Sequence, residues 1–141
     1  MNLRDNKLAT FLIAGVLLVI SPLIAQQFGN GPVRIIDLAR RSRRRLMIRL
    51  VKGAYWDSEI KRAQVDGQAG YPVYTRKPHT DASYIACARK LLAAPEAVYP
   101  QFATHNAHTV AAIHELADPA RWTPRQYEFQ CLHGMGEPLY E

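Results

Sequence analysis

At 141 residues the chain is about one ordinary domain, and its 18 Lys and Arg against 12 Asp and Glu give a formal charge of +6. Two cysteines, Cys87 and Cys131, stand far apart with no Cys-x-x-Cys pairing, which argues against a disulfide framework and fits a reducing compartment. No pair among His105, His108, Cys131 and His133 has the usual zinc-ligand spacing, so no metal site is expected.

Residues 8 to 25 are an uncharged apolar run preceded by Arg4 and Lys7. The run reads as an apolar helix, either a short membrane span at the lower edge of the necessary length or the core of a signal peptide. Pro22 interrupts it, and Leu23 is large where a cleavage site wants a small residue. A third reading is foreign sequence joined by truncation or rearrangement of a gene. Gln26 to Pro32 is a polar, Gly-rich linker, so the chain divides into 1–32 and 33–141.

Val33 to Arg44 has weak helical spacing at Val33, Ile36 and Ala39. It carries most of the run Arg40-Arg41-Ser42-Arg43-Arg44-Arg45, read as a solvated helix face and its following turn. The alternative is a contact for nucleic acid or anionic lipid.

Leu46 to Lys52 has the continuous apolar character of a strand buried on both faces, with Arg49 inside it. Gly53 lets the backbone turn or approach a ligand, and the aromatics Tyr55 and Trp56 follow. Asp57 and Ser58 are candidate caps for a helix running to about Asp66, which Gly67 and Gly70 end. A cation, a glycine and two rings thus collect where a strand gives way to a helix, the edge at which α/β folds bind ligands. On those residues alone an ordinary strand-to-helix turn fits equally well.

Tyr71 to Lys77 is an extended connection pinned by Pro72. Thr75, Arg76 and Lys77 offer a hydroxyl and two positive charges to a phosphate, or form an exposed polar loop. Thr80 or Asp81 caps the next helix, whose Tyr84, Ile85, Ala88, Leu91 and Leu92 make one core stripe, and Pro95 stops it. Gln101 to Thr104 is a second strand. A helix over Ala107 to Ala117 follows, with Val110, Ala111, Ile113 and Leu116 inward, then a loop from Asp118 to Pro124. Tyr127 to Leu132 is a third strand, and Gly134 and Gly136 mark the turn after it. Strands separated by helical connections imply a parallel sheet in an α/β fold.

Four stretches carry a more specific signal: Arg-Leu-Val-Lys-Gly-Ala-Tyr-Trp-Asp (49–57), Tyr-Pro-Val-Tyr-Thr-Arg-Lys (71–77), Phe-Ala-Thr-His-Asn (102–106) and Gln-Cys-Leu-His-Gly-Met-Gly-Glu (130–137). In this order and spacing they resemble the proline dehydrogenase domain of the bifunctional bacterial proline-utilization flavoenzymes, the PutA family. The resemblance is close from about Arg45 to Glu141 and weaker over 35–44. It implies a partial (β/α)8 TIM-type barrel with about three parallel strands, since a closed barrel takes roughly 250 residues. It implies FAD at the carboxyl ends of the strands, oxidation of L-proline to 1-pyrroline-5-carboxylate, and electron delivery to membrane quinone.

By the same resemblance Arg49 and Tyr55 are the catalytic candidates, Arg49 beside the flavin N5 and Tyr55 reaching toward substrate. Val51, Gly53, Ala54 and Trp56 line the flavin pocket. Thr75, Arg76 and Lys77 fall on the pyrophosphate and adenosine side, Thr104, His105 and Asn106 add polar contacts, and Gln130 meets the ring edge. Leu132 packs over the proline ring; Glu128 and Glu137 receive no role. The family's substrate pocket also uses an aspartate, a lysine and a pair of arginines that have no counterpart in these 141 residues. The expectation is therefore a fragment inactive in isolation, cytoplasmic, with membrane association through 8–25 as a further possibility and nucleic acid not expected as a partner. The rival readings are a membrane-anchored basic module and a non-functional gene remnant.

Overall fold

The computed structural model describes residues 18–20, 31–121 and 123–141. Its strands are β1 (Leu18–Ile20), β2 (Leu46–Leu50), β3 (Val98–Ala103) and β4 (Glu128–Gln130). Its helices are α1 (Gly31–Ser42), α2 (Trp56–Val65), α3 (Lys77–Leu92) and α4 (Ala107–Leu116), with short 3-10 turns at Pro119–Arg121 and Glu137–Leu139.

The strands form one sheet in the order β1-β2-β3-β4, every neighbouring pair parallel. Strand order follows chain order without reversal. That distinguishes a barrel wall, where each βα unit steps the same way, from a doubly wound sheet, whose order reverses at a switch point. Packing agrees: α1, α3 and α4 share one hydrophobic cluster with the sheet. The chain is thus a section of a (β/α)8 barrel.

The apolar run 8–25 is corrected where the structure describes it. Leu18–Ile20 is a strand paired with Ile48–Leu50, not part of a helix, and it brings the sheet to four strands rather than about three. An apolar tripeptide with β-branched Val and Ile serves a buried parallel strand as well as a helix, and periodicity cannot separate the two. The rest of that run and residues 26–30 of the linker lie outside the described residues. Gly31 and Pro32 are not linker but the buried first turn of α1, where proline's missing N–H costs no hydrogen bond.

Alternation divides each strand between two environments. Ile48 and Leu50 of β2, and Val98 and Phe102 of β3, are fully buried in the cluster beneath the helices. Phe129 of β4 packs against the same cluster, and its ring lies 6.2 Å from that of Phe102 and 5.6 Å from that of Tyr127. The alternate residues, Arg49, Tyr99, Gln101, Glu128 and Gln130, therefore stand on the opposite face, the side that becomes a barrel's interior.

α3 is the central helix and buries Tyr84, Cys87, Ala88 and Leu91, with Ile85 and Leu92 packed beside them. Leu91, fully buried, contributes about 1.5–3 kcal/mol. Tyr84 also donates its hydroxyl to the carbonyls of Leu50 (3.2 Å) and Ala103 (3.4 Å), tying the carboxyl ends of β2 and β3 together. Burial of that hydroxyl pushes its pKa well above the usual phenol range, which keeps it a donor. α2 lies at the periphery and buries only Ala63.

Several local expectations change. α2 starts at Trp56 after Tyr55 in the left-handed region (φ 61), with no side-chain cap, so Asp57 and Ser58 sit inside the first turn. There their carboxylate and hydroxyl meet the positive end of the helix dipole instead. α3 starts at Lys77 with Pro78 in its first turn, so neither Thr80 nor Asp81 is the cap. In α4 the buried positions are Thr109 and Ile113, whereas Ala111 is exposed. Gly67 does end α2: at φ +62 its N–H reaches the Gln64 carbonyl while Gln68 N–H reaches that of Ala63.

Candidate active site at the carboxyl ends of the strands

The parallel register places Arg49, Gln101 and Glu128 in one row across β2, β3 and β4, and Gln130 opposite Ala103 one level higher. Arg49 Nε donates to Gln130 Oε1 at 2.6 Å, joining residues 81 positions apart. The bond crosses β3 beside Ala103, and the small methyl group there leaves the path open. Gln130 Nε2 donates to Glu128 Oε1 at 2.5 Å and Gln101 Nε2 donates to the same oxygen at 2.8 Å. Tyr99 completes the row by donating its hydroxyl to Glu128 Oε2 at 3.0 Å. Burial first, then the charge of Glu128, pushes the Tyr99 phenol far above its ordinary pKa. Gln101 is almost wholly buried, and its Oε1 is the one buried side-chain polar atom without a partner among the described residues.

The loops beyond the strands gather at the same edge. Val51 and Ala54 are half-buried, while Gly53 takes φ +80 with nothing within 4 Å of where a Cβ would stand. Its backbone conformation, not crowding within the chain, is what calls for glycine there. Tyr55 and Trp56 are exposed, at 72% and 41%, and Trp56 is steadied by donating its indole N–H to the Tyr74 carbonyl at 3.0 Å. That contact brings the 71–77 connection beside the turn after β2, although Thr75 and Arg76 are exposed and make no side-chain hydrogen bond among the described residues.

At the end of β3, Thr104 N–H donates to the Gln130 carbonyl at 3.2 Å, and Tyr140 donates its hydroxyl back to the Thr104 carbonyl. Burial raises the Tyr140 phenol to about 12. His105 is exposed on one side and closely packed on the other: a Cβ at Gly136 would meet the His105 Cβ at 3.0 Å. Leu132 and Met135 stand exposed in the loop after β4. Arg49, Gly53, His105 and Gln130 therefore share one edge of one sheet.

Two other expected residues, Lys77 and Asn106, also make contacts within the scaffold. Asn106 caps α4, its Oδ1 accepting from Thr109 N at 3.0 Å and from Thr109 Oγ1 at 3.1 Å. Lys77 pairs with Asp81 at 2.5 Å, and Asp81 also takes Lys52 at 2.8 Å. Lys52 in turn donates to Thr109 Oγ1 at 2.8 Å and lies 5.3 Å from the centre of the Tyr84 ring. Lys77, Asp81, Asn106 and Thr109 line a cleft of about 590 Å³ between α3 and α4. Hydrogen bonds from Lys52 and then Lys77 hold the Asp81 carboxyl below its usual range.

The basic run is partly committed to structure. Arg40 grips Glu96 at 2.6 Å, and Arg45 donates to the carbonyls of Val98 and Arg125 while lying over the Tyr99 ring. Among the described residues no three His, Cys, Asp or Glu side chains converge as metal ligands, and no helix is long and apolar enough to cross a membrane.

The sequence left Tyr99, Gln101, Glu128 and Tyr140 unassigned. The signal for the first three is the alternation in Tyr99-Pro100-Gln101 and Glu128-Phe129-Gln130: a strand apolar toward its helices and polar on the other face has something other than core to meet.

The fit to a flavin rests on these residues. Arg49 spends its Nε on Gln130, and its two terminal amino groups make no hydrogen bond among the described residues. A permanent cation so placed suits an anion-forming ring edge, and exposed Trp56 suits the face of a flat ring.

A charged, aromatic-rimmed cluster at the strand ends lies where (β/α)8 barrels place their ligand sites. The proline dehydrogenase family profile matches residues 32–141. The bifunctional protein PutA of Escherichia coli (strain K12) is 78% identical over 107 residues, which are 76% of this chain and 8% of that protein. PutA of Rhizobium meliloti is 63% identical over 107 residues, 9% of its length. Among solved structures, PutA with proline bound in remote sites aligns with TM-score 0.76 at 53% identity, covering 88% of this chain and 12% of that one. PutA of Bdellovibrio bacteriovorus inactivated by N-propargylglycine aligns with TM-score 0.78 at 36% identity, covering 87% and 13%. The chain belongs to the proline dehydrogenase family, and it spans under a tenth of the length of these curated relatives.

Proposed function

We propose that this chain is the flavin-gripping section of an FAD-dependent proline dehydrogenase, oxidising L-proline to 1-pyrroline-5-carboxylate only within a complete barrel. The observation that carries the reading is the 2.6 Å bond between Arg49 and Gln130, which sets a permanent cation at the strand ends with its outer nitrogens open. Bound there, FAD supplies the hydride acceptor. The protein's part is to hold and tune it. Arg49 stabilises negative charge on the ring, and Val51, Gly53, Ala54 and Trp56 shape the pocket. Thr75, Arg76 and Lys77 take the phosphate side, with Thr104 and His105 at the end of β3. Tyr55 and Leu132 meet the substrate.

The same reading takes the expected unit 33–141 back to the start of α1 at Gly31, with the family match beginning at residue 32. It takes the site of action as cytoplasmic, with membrane quinone as the electron acceptor. Among the described residues the sheet has four parallel strands of the eight in a closed barrel, so completing the wall over the polar face falls to other strands.

Two experiments test it. The purified 141-residue chain, incubated with FAD and L-proline, is expected to reduce no dye and to retain flavin poorly; a yellow product bleached by proline overturns the inactivity. A chimera carrying residues 45–141 in place of the matching segment of the Escherichia coli relative is expected to hold flavin and oxidise proline. A folded chimera that purifies without flavin overturns the reading.

A further inference from the structure

We propose that Glu128 is a positioning residue of this site: its carboxylate decides which way round the Gln130 amide stands, and Gln130 thereby holds Arg49 by its Nε. The proposal rests on the flavin reading for its purpose, though not for its geometry.

The amide of Gln130 has an acceptor at one end and a donor at the other. Arg49 only donates, so it must meet Oε1, as it does at 2.6 Å. An ionised carboxylate only accepts, and Glu128 Oε1 takes Nε2 at 2.5 Å. Turned over, the amide would set oxygen against carboxylate and NH2 against guanidinium, two unfavourable contacts in place of two charge-assisted bonds. With Arg49 alone as partner, the far end of the amide would meet water, and nothing would hold the pair square to the sheet.

Glu128 cannot easily swing away. Its Oε1 also accepts from Gln101 and its Oε2 from Tyr99, so three donors from two strands fix it in the row. The cost falls on Gln101. Its Nε2 is drawn to the carboxylate and its buried Oε1 is left without a partner, a rare condition in folded proteins. Turning that amide would place its oxygen against the carboxylate, so the orphan marks the group whose demand prevails. Glu128 lies two residues from Gln130 on the same face of β4, which is why the assignment needs no contact with a ligand.

The test is nitrogen-15 NMR on the full chain, reading the Arg49 Nε–H and the Gln130 side-chain amide, with flavin affinity measured separately in the chimera. Glu128→Ala is expected to speed exchange of the Arg49 Nε–H by about tenfold, the factor that follows from one lost hydrogen bond, and to weaken flavin binding comparably. Glu128→Gln is expected to restore both, because its Oε1 still accepts from both amides while its Nε2 donates to the Tyr99 hydroxyl. A merely structural role would move the melting temperature without this split. Unchanged Arg49 exchange in Glu128→Ala overturns the proposal. Should that variant not fold, Glu128→Asp keeps the charge but withdraws the oxygens by one methylene; the same loss supports the proposal and wild-type exchange overturns it. A folded chimera without flavin, beside the expected NMR result, removes the flavin reading and leaves the positioning of Arg49 by Glu128 standing.

Discussion

At the scale of single residues, the same short stretch supplies both a site and its anchor. Arg49 points to the polar face while Lys52, three residues on, reaches the helix side and binds Asp81 and Thr109. Asp81 therefore links stability to pH. Its folded-state pKa lies below the ordinary aspartate value, because of hydrogen bonds first from Lys52 and then from Lys77. Its contribution is fully present above the unfolded pKa of about 4 and is lost as pH falls through the folded value. Urea midpoints measured from neutral pH downward should fall below about pH 4, and Asp81→Asn should lower the neutral value and flatten that acid limb. Ala103 makes a second prediction. It is the register partner of Gln130 on β3, the strand that the Arg49–Gln130 bond crosses. Ala103→Leu should break that bond and weaken flavin binding in the chimera by about tenfold, with Ala103→Ser near wild type.

At the scale of elements, the caps were the least legible part of the sequence. Ser, Thr and Asp near a helix start suggest caps for α2 and α3, yet a left-handed Tyr55 and the pair Arg76-Lys77 with Pro78 begin those helices. Several neighbouring residues compete for the capping position, and the path of the preceding chain decides among them. Among the described residues α4 has a side-chain cap in plain form, from Asn106, a residue that the family resemblance places at the cofactor. Asn106→Ala should cost about 1 kcal/mol of stability, read as a lower denaturant midpoint with an unchanged slope. If Asn106 served the ligand alone, the midpoint would not move.

At the scale of the whole molecule, the sheet of the described residues has two edge strands, β1 and β4, and a polar interior face. Edges of this kind pair with other chains unless covered. The isolated chain should therefore show concentration-dependent association by light scattering, relieved when the segment sits inside the chimera's complete barrel. The sequence by itself determined the parallel α/β rhythm, the strand-end location of Arg49, Gly53, His105 and Gln130, and the family, because alternation and ordered motifs are local properties written in neighbouring residues. Only the tertiary structure decided that Leu18–Ile20 is a strand, that Asn106 caps α4, that Asp81 pairs with Lys52 and Lys77, and that Glu128 bonds the amide next to Arg49. Those facts depend on register between strands dozens of residues apart, and register is set by the packing of the whole sheet rather than by any one stretch of it.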